Sequence, residues 1–365
     1  MPLPPLVDPA AALSARERER TARHLALAGL GELGQRRLAA AHVAVVGAGG
    51  LGSPVVLALA AAGVGSLTVI DDDVIELSNL QRQVMHRRED AGTLKADSAV
   101  RAAAALSDTR VIPVARRLTA ANAQELLAHA DIVIDGSDLF ATREAVAAAT
   151  DRLGIPLVWG TVQEFDAQAT VFWSAPPAGR DPVVLADLYP PGSAGAVPTC
   201  AEVGVLGALC LQVGSLLALE AIKLIAGIGE PLLGRVLVID ALGARQREVP
   251  LRGARASASA PPTGSSPGPI RVVTPDDLDR LDDATILDVR ETHEVATGTI
   301  PGAVHLPLDL LLADPSAVRG PVVVVCQSSV RARRAAEALR AAGVEAAVLA
   351  GGMRAWCTHA RAVVG

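Results

Sequence analysis

Residues 43–52 read Val43-Ala-Val-Val-Gly47-Ala-Gly49-Gly50-Leu-Gly52. Four apolar residues of strand character enter a glycine-rich turn, and an apolar stretch of helical length follows. In that geometry successive backbone N–H groups meet an anionic phosphate. Asp71 stands at the end of the next apolar run, where a carboxylate accepts hydrogen bonds from ribose hydroxyls. The motif predicts a nucleotide site and leaves the choice between ATP and NAD open.

Outward from this motif, short apolar runs alternate with Ala/Leu-rich stretches. Val43–Val46, Leu67–Ile70, Val111–Val114, Ile132–Ile134 and Leu157–Trp159 read as strands. Leu51–Ala62, Leu94–Leu106, Asn122–His129 and Thr142–Leu153 read as helices. The alternation predicts an α/β, doubly wound, Rossmann-like domain. Beyond it come a strand at Ala169–Trp173, a Pro/Gly-rich loop at Asp181–Val197, a long helix, and a pair of runs at Arg235–Asp240 and Arg245–Leu251.

At 365 residues, half of them apolar, the chain is long enough for two cores. Residues 252–269 are small, Pro-rich and almost uncharged, and predict a flexible linker. The boundaries expected are a disordered start over 1–15, a first domain over 16–251, the linker, and a smaller α/β domain over 270–365. In that last domain Ile286–Val289 and Val322–Val325 read as strands and Ala332–Ala342 as a helix.

The net charge of −6 and the lack of a dense basic block argue against nucleic acid as a partner. Cys200, Cys210, Cys326 and Cys357 lie far apart without a C-x-x-C pair, which points to a reducing cytoplasm. Nothing near the start has the apolar core of a signal peptide. Val203–Leu219 carries no charge, but it contains Gln212, Ser215 and three glycines and then meets Glu220 and Lys223, so it reads as a buried helix and no membrane partner is expected.

What chooses among nucleotides is Ser78-Asn-Leu-Gln-Arg82-Gln, then Lys95, then Asp135-Gly-Ser-Asp138. Arg82 and Lys95 can spread positive charge over a triphosphate as pyrophosphate leaves, and Asp138 can hold a magnesium ion. Hydride transfer needs none of these. Any one of them alone reads equally well as a surface ion pair; together they describe adenylyl transfer.

In the second domain the run Val322–Val325 leads into Cys326-Gln-Ser-Ser-Val-Arg331 and a helix. Backbone N–H groups in such a loop form an anion cradle, and Arg331 beside it favours a thiolate or a persulfide over a buried inert thiol. Cys357 lacks such surroundings and reads as structural.

GAGGLGS, DDDVIELSNLQRQ, the Lys95 region, PTCAEVGVLG and LEAIKLIAGIGEPLLGR resemble the MoeB/ThiF family of ubiquitin-activating-enzyme-like adenylyltransferases over residues 16–250. LDVRE, GTIPGAVHLP, the Cys326 loop and GGMRAW resemble a rhodanese sulfurtransferase. Related phosphatases have a cysteine loop one residue longer, so the short loop favours sulfur. The first resemblance assigns Gly47, Gly49, Gly50, Gly52, Asp71, Asn79, Arg82 and Lys95 to the nucleotide and Asp138 to magnesium. It makes Arg23 an arginine contributed across a homodimer. It matches Cys200 to a family cysteine proposed for thioester or disulfide steps, with packing as the other reading.

The sequence departs from the family at Leu139, where an asparagine usually follows the aspartate, and in lacking two C-x-x-C pairs, so no zinc is expected. The fusion implies ATP and Mg2+ as cofactors. Its partners would be a ubiquitin-like sulfur-carrier protein ending in Gly-Gly and a sulfur donor, thiosulfate or a cysteine desulfurase. The carrier's carboxylate would be adenylated and then converted to a thiocarboxylate by a Cys326 persulfide. The alternatives are a carrier-binding scaffold that does not adenylate, and an NAD-dependent oxidoreductase.

Overall fold

The computed structural model describes residues 3–190, 204–253, 270–278, 284–327 and 329–364. Cys200, the end of the Pro/Gly-rich loop, and the expected linker beyond Gly253 lie outside them. The chain divides into two units, residues 1–261 and 262–365.

The first unit is built on eight strands: β1 His42–Val46, β2 Ser66–Ile70, β3 Arg110–Val114, β4 Ile132–Asp135, β5 Leu157–Gln163, β6 Asp166–Phe172, β7 Arg235–Asp240 and β8 Arg245–Pro250. Their order is β3-β2-β1-β4-β5-β6-β7-β8. From β3 across to β5 the neighbours are parallel, and the β5–β8 pairs are antiparallel. Val43–Val46 of β1 are all buried, as a strand covered on both faces requires. Because β1 lies between β2 and β4, the connections diverge at its C-terminal end and leave a crevice over the glycine turn.

Two features differ from the sequence reading. Strands β5 and β6 extend into a hairpin pairing Gln163 with Asp166, and Glu164 at its tip takes φ +54°. The added positions alternate buried Gly160, Val162 and Ala167 with the more exposed Thr161, Gln163, Asp166 and Gln168, so no continuous apolar run marks the outer end of the hairpin. The disorder expected of residues 1–15 also needs correction. Leu3 is buried, the Leu6 N–H donates to the Leu224 carbonyl at 3.0 Å, and the Ala10 N–H donates to the Arg36 carbonyl at 3.0 Å. Prolines restrict the segment before folding, so laying it down as a strap costs less entropy than composition alone implies. Helices at Ala15–Arg20, Ala22–Leu25 and Gly31–Ala40 follow it.

Helix Gly207–Ala226 is long and apolar enough to cross a membrane by length and composition. Here it packs against helix Gly52–Ala62 and strands β5 and β6. The two helices touch closely because Gly214 has no side chain; a β-carbon there would strike Pro54. Glu220 on this helix is 1 % exposed. Its Oε2 accepts the Leu232 N–H at 2.8 Å and its Oε1 pairs with Lys223, which also donates to the Glu230 carbonyl. One of the chain's two lysines is thereby explained as the partner of a buried carboxylate.

The second unit has five parallel strands, β9 Arg271–Val273, β10 Thr285–Asp288, β11 Val304–His305, β12 Val322–Val325 and β13 Ala346–Leu349, in the order β11-β10-β12-β13-β9. The four valines of β12 alternate between two cores. Val322 and Val324 pack with Leu308, Ala332 and Leu339, while Val323 and Val325 pack with Leu278 and Met353. The sheet is thus covered on both faces, with β12 in the middle and Cys326 at its C-terminal end.

Removing one partner of a buried ion pair leaves the other uncompensated. Glu220→Ala is therefore expected to lower unfolding stability by about 3 kcal/mol. Gln212→Ala, on the exposed side of the same helix, should cost less than about 0.5 kcal/mol. Urea denaturation of the full chain reads both, and equal losses would contradict this account of the core.

Candidate active sites

The glycine turn owes its shape to three close backbone approaches. Gly47 has φ +86°, and a β-carbon there would lie 3.2 Å from the Gly136 carbonyl. A β-carbon on Gly52 would collide with the Gly47 carbonyl, so only glycine lets helix Gly52–Ala62 begin so soon after β1. The Gly136 N–H donates to the Val46 carbonyl at 2.9 Å and ties the β4 end to the same turn.

Asp71 holds the turn from the other side. Its Oδ2 accepts the Ala48 N–H at 2.7 Å and its Oδ1 accepts the Asp73 N–H at 2.9 Å. Burial pushes its pKa up, opposed by the charge of Lys95 and by these two hydrogen bonds. The buried His86 supports the turn from beneath. Its Nε2 lies 3.0 Å from the Ala48 carbonyl and its Nδ1 3.0 Å from the Ser98 hydroxyl. A carbonyl only accepts, so the proton sits on Nε2, and burial holds the ring's pKa down.

Above the turn is a pocket of ≈ 350 Å³. Gly47, Gly49, Gly50, Asp71, Asn79, Arg82, Lys95 and Asp138 all line it, although they come from five separate stretches of chain. Lys95 is only 6 % exposed, and its Nζ lies 2.7 Å from Asp73 Oδ2. Arg82 donates to the Ser78 carbonyl at 3.2 Å, and Asn79 Oδ1 accepts the Glu76 N–H at 3.1 Å, which fixes the loop that carries both. Asp138 is exposed to the pocket and accepts no hydrogen bond among the described residues. Leu139 starts helix Phe140–Leu153 without a side-chain cap and is 44 % exposed on the pocket wall.

Gly52 lies below the pocket, and Arg23 is exposed on the short helix Ala22–Leu25, away from its own chain's pocket. Among the described residues no group of three or more His, Cys, Asp and Glu is placed to hold a metal ion. A single carboxylate at Asp138 instead suits magnesium, which binds through one or two protein oxygens plus substrate phosphates.

Cys210, Arg116, Arg117 and Arg143 are among the pocket residues to which the sequence assigns no role. Cys210 faces Gly50 from helix Gly207–Ala226, a contact set by helix packing across more than 150 residues of chain.

In the second unit Cys326 is 1 % exposed. Its Sγ accepts the Ala332 N–H at 3.3 Å, from the first turn of helix Val330–Ala341. Ser329 turns the loop at φ +73° and its hydroxyl donates to the Leu349 carbonyl at 2.7 Å. Helix Gly352–Val364 approaches from the other side, where the Met353 N–H donates to the Cys326 carbonyl at 2.9 Å. A β-carbon on Gly352 would strike that carbonyl.

Arg331 is not a bare cation beside the thiol. It grips Glu294 through two hydrogen bonds of 2.5 and 2.6 Å, which raise its pKa and lower that of Glu294. The donor on Sγ is backbone. Below the loop, Asp288 and Arg290 form a buried ion pair at 2.7 Å, and Arg290 reaches Gln327 next to the cysteine. Cys357, expected to be structural, is exposed. On helix Gly352–Val364 it falls on the outer face, which its apolar neighbours did not reveal.

The ThiF family profile matches residues 21–260, and the rhodanese-like domain profile matches residues 274–359. The chain is 42 % identical to a probable adenylyltransferase/sulfurtransferase MoeZ of Mycobacterium tuberculosis, over 97 % of this chain and 96 % of that one. It is 45 % identical to a sulfur carrier protein adenylyltransferase of Thermus thermophilus, over 65 % of this chain and 88 % of that one. A crystal structure of E. coli MccB with ATP shares the fold of the larger unit, with a TM-score of 0.56 at 21 % identity over 66 % of this chain and 73 % of that one. The glycine turn, its pocket and the cysteine loop thus lie in a chain that belongs to the ThiF family and carries a rhodanese-like domain behind it.

Proposed function

We propose that this chain adenylates the C-terminal glycine carboxylate of a ubiquitin-like sulfur-carrier protein and then transfers sulfur to it from a persulfide on Cys326. The observation that carries the reading is the convergence of the glycine turn, Arg82, Lys95 and Asp138 on one pocket. The adenylyltransferase and sulfurtransferase names of its relatives support it.

A carboxylate resists a sulfur nucleophile, so it is first joined to AMP. The glycine turn's N–H groups and the two cations hold the phosphates, and the spare lone pairs of Asp71 accept the ribose hydroxyls. The carboxylate attacks the α-phosphorus and pyrophosphate leaves, its growing charge met by Arg82 and Lys95. A magnesium ion between Asp138 and the phosphates would neutralise further charge. Arg23, remote from its own pocket, serves the pocket of a second copy in a homodimer.

The sulfur step follows at Cys326. A donor such as thiosulfate or a cysteine desulfurase loads the thiolate with one sulfur, cradled by the loop's N–H groups. The outer sulfur attacks the acyl-adenylate and expels AMP. A second thiol, Cys200 or an external one, then cleaves the S–S bond and releases the thiocarboxylate. These reduced thiols fit a cytoplasmic setting.

Carrier-dependent exchange of pyrophosphate into ATP tests the first step and separates it from carrier binding without chemistry or nicotinamide redox chemistry. Arg82→Ala and Asp138→Ala should each reduce exchange by about 100-fold or more, while Cys326→Ala should leave it within about twofold. Exchange at the wild-type rate by Asp138→Ala would remove the metal assignment. Incubation with thiosulfate should add one sulfur to the peptide containing Cys326 and none to that containing Cys357, as read by peptide mass. Loading of Cys357 instead would contradict the persulfide site.

A further inference from the structure

The turn that presents Asp138 is held by residues to which the adenylation chemistry assigns nothing. Strand β4 ends at Asp135, which is fully buried. Its Oδ1 accepts both the Ser137 N–H at 2.9 Å and the Ser137 hydroxyl at 2.6 Å, while its Oδ2 has no hydrogen-bond partner. A buried carboxylate with an unsatisfied oxygen is costly unless a cation stands near. That cation is Arg143, one turn into helix Phe140–Leu153 and only 7 % exposed. Burial drives the Asp135 pKa up, and the charge of Arg143 is the largest influence opposing it.

Arg143 also grips the same serine from the other side. Its Nε and Nη2 donate to the Ser137 carbonyl at 3.3 and 3.1 Å. Nη2 also donates to the Thr161 hydroxyl of β5 at 3.1 Å, and the guanidinium lies 5.7 Å over the Trp159 ring. Ser137 is therefore clamped through its N–H, hydroxyl and carbonyl, and the next residue is Asp138. A planar, donor-rich group packed on an aromatic face keeps one orientation, which a lysine ammonium would not.

We propose that Arg143 is the positioning residue for Asp138. It fixes the Ser137 carbonyl and compensates Asp135, so that the Asp138 carboxylate meets magnesium-bound ATP without reorganising. The inference rests on the adenylation reading of the first unit.

The test is equilibrium binding of ATP to the full chain with and without Mg2+, read by displacement of a fluorescent ATP analogue. Arg143→Met should leave metal-free binding nearly unchanged and weaken Mg2+-ATP binding by about tenfold, the worth of one or two buried charged hydrogen bonds. Arg143→Lys should recover part of the loss. Thr161→Val, which leaves the guanidinium in place and removes one of its acceptors, should shift Mg2+-ATP binding in the same direction by about threefold even if Arg143→Met fails to fold. Acting through Asp138, Arg143→Met should add nothing in an Asp138→Asn background. Unchanged Mg2+-ATP binding by folded Arg143→Met and Thr161→Val, or full additivity with Asp138→Asn, would overturn the proposal alone. A wild-type chain that binds no ATP under either condition would overturn the adenylation reading and this proposal with it.

Discussion

Helix Gly52–Ala62 begins so close to the end of β1 that its first residue packs on the Gly47 carbonyl, and no β-carbon fits there. This contact depends on the absence of an atom, and much else depends on it. With the helix drawn in, the turn Gly47–Leu51 curls tightly at the crevice where the β1 connections diverge. The Ala48 N–H then meets Asp71, and its carbonyl meets His86. The β4 end docks on the same turn through Gly136. Each partner brings a pocket residue with it: Asp71 directly, Lys95 through Asp73, and Asp138 through Ser137.

The second unit applies the same economy around a cysteine. A buried four-valine strand leads into the Cys326 loop, a helix N-terminus donates to Sγ, and a second helix is admitted against the loop's carbonyls because Gly352 lacks a side chain. The loop's carbonyls turn to that helix, while the Ala332 N–H faces the sulfur. Arg331 is then free to serve as a strut to Glu294, which joins the loop to helix Thr292–Val295. Negative charge developing at sulfur would meet a backbone N–H already fixed in place, a form of stabilisation that costs no reorganisation when charge appears.

Local chemistry made much of this legible. The glycines, the strand before them, and the spacing to Asp71 read correctly because turn, strand and helix propensities in residues 43–71 all point the same way. Cys326 read as a loop cysteine for the same reason. What escaped was set by distance. Arg143 looks like a surface residue of an Ala-rich helix until Thr161 and Trp159 of β5 are packed beside it. The Glu294 partner of Arg331 lies 37 residues earlier in sequence, and nothing local places it there. The strap at residues 3–14 escapes a sequence reading because Pro-rich composition describes the unfolded chain's freedom and says nothing of Leu224 and Arg36, more than 20 residues away, to which it hydrogen-bonds.

The central claim is that one polypeptide supplies both the activated carboxylate and the sulfur that attacks it. The direct measurement is the mass of the C-terminal peptide of a carrier protein ending in Gly-Gly, after incubation with the full chain, ATP, magnesium and thiosulfate. The account predicts replacement of one oxygen by one sulfur, dependent on both ATP and Cys326. An unmodified carrier, recovered with a folded chain that has exchanged pyrophosphate and loaded Cys326 with sulfur, would contradict it.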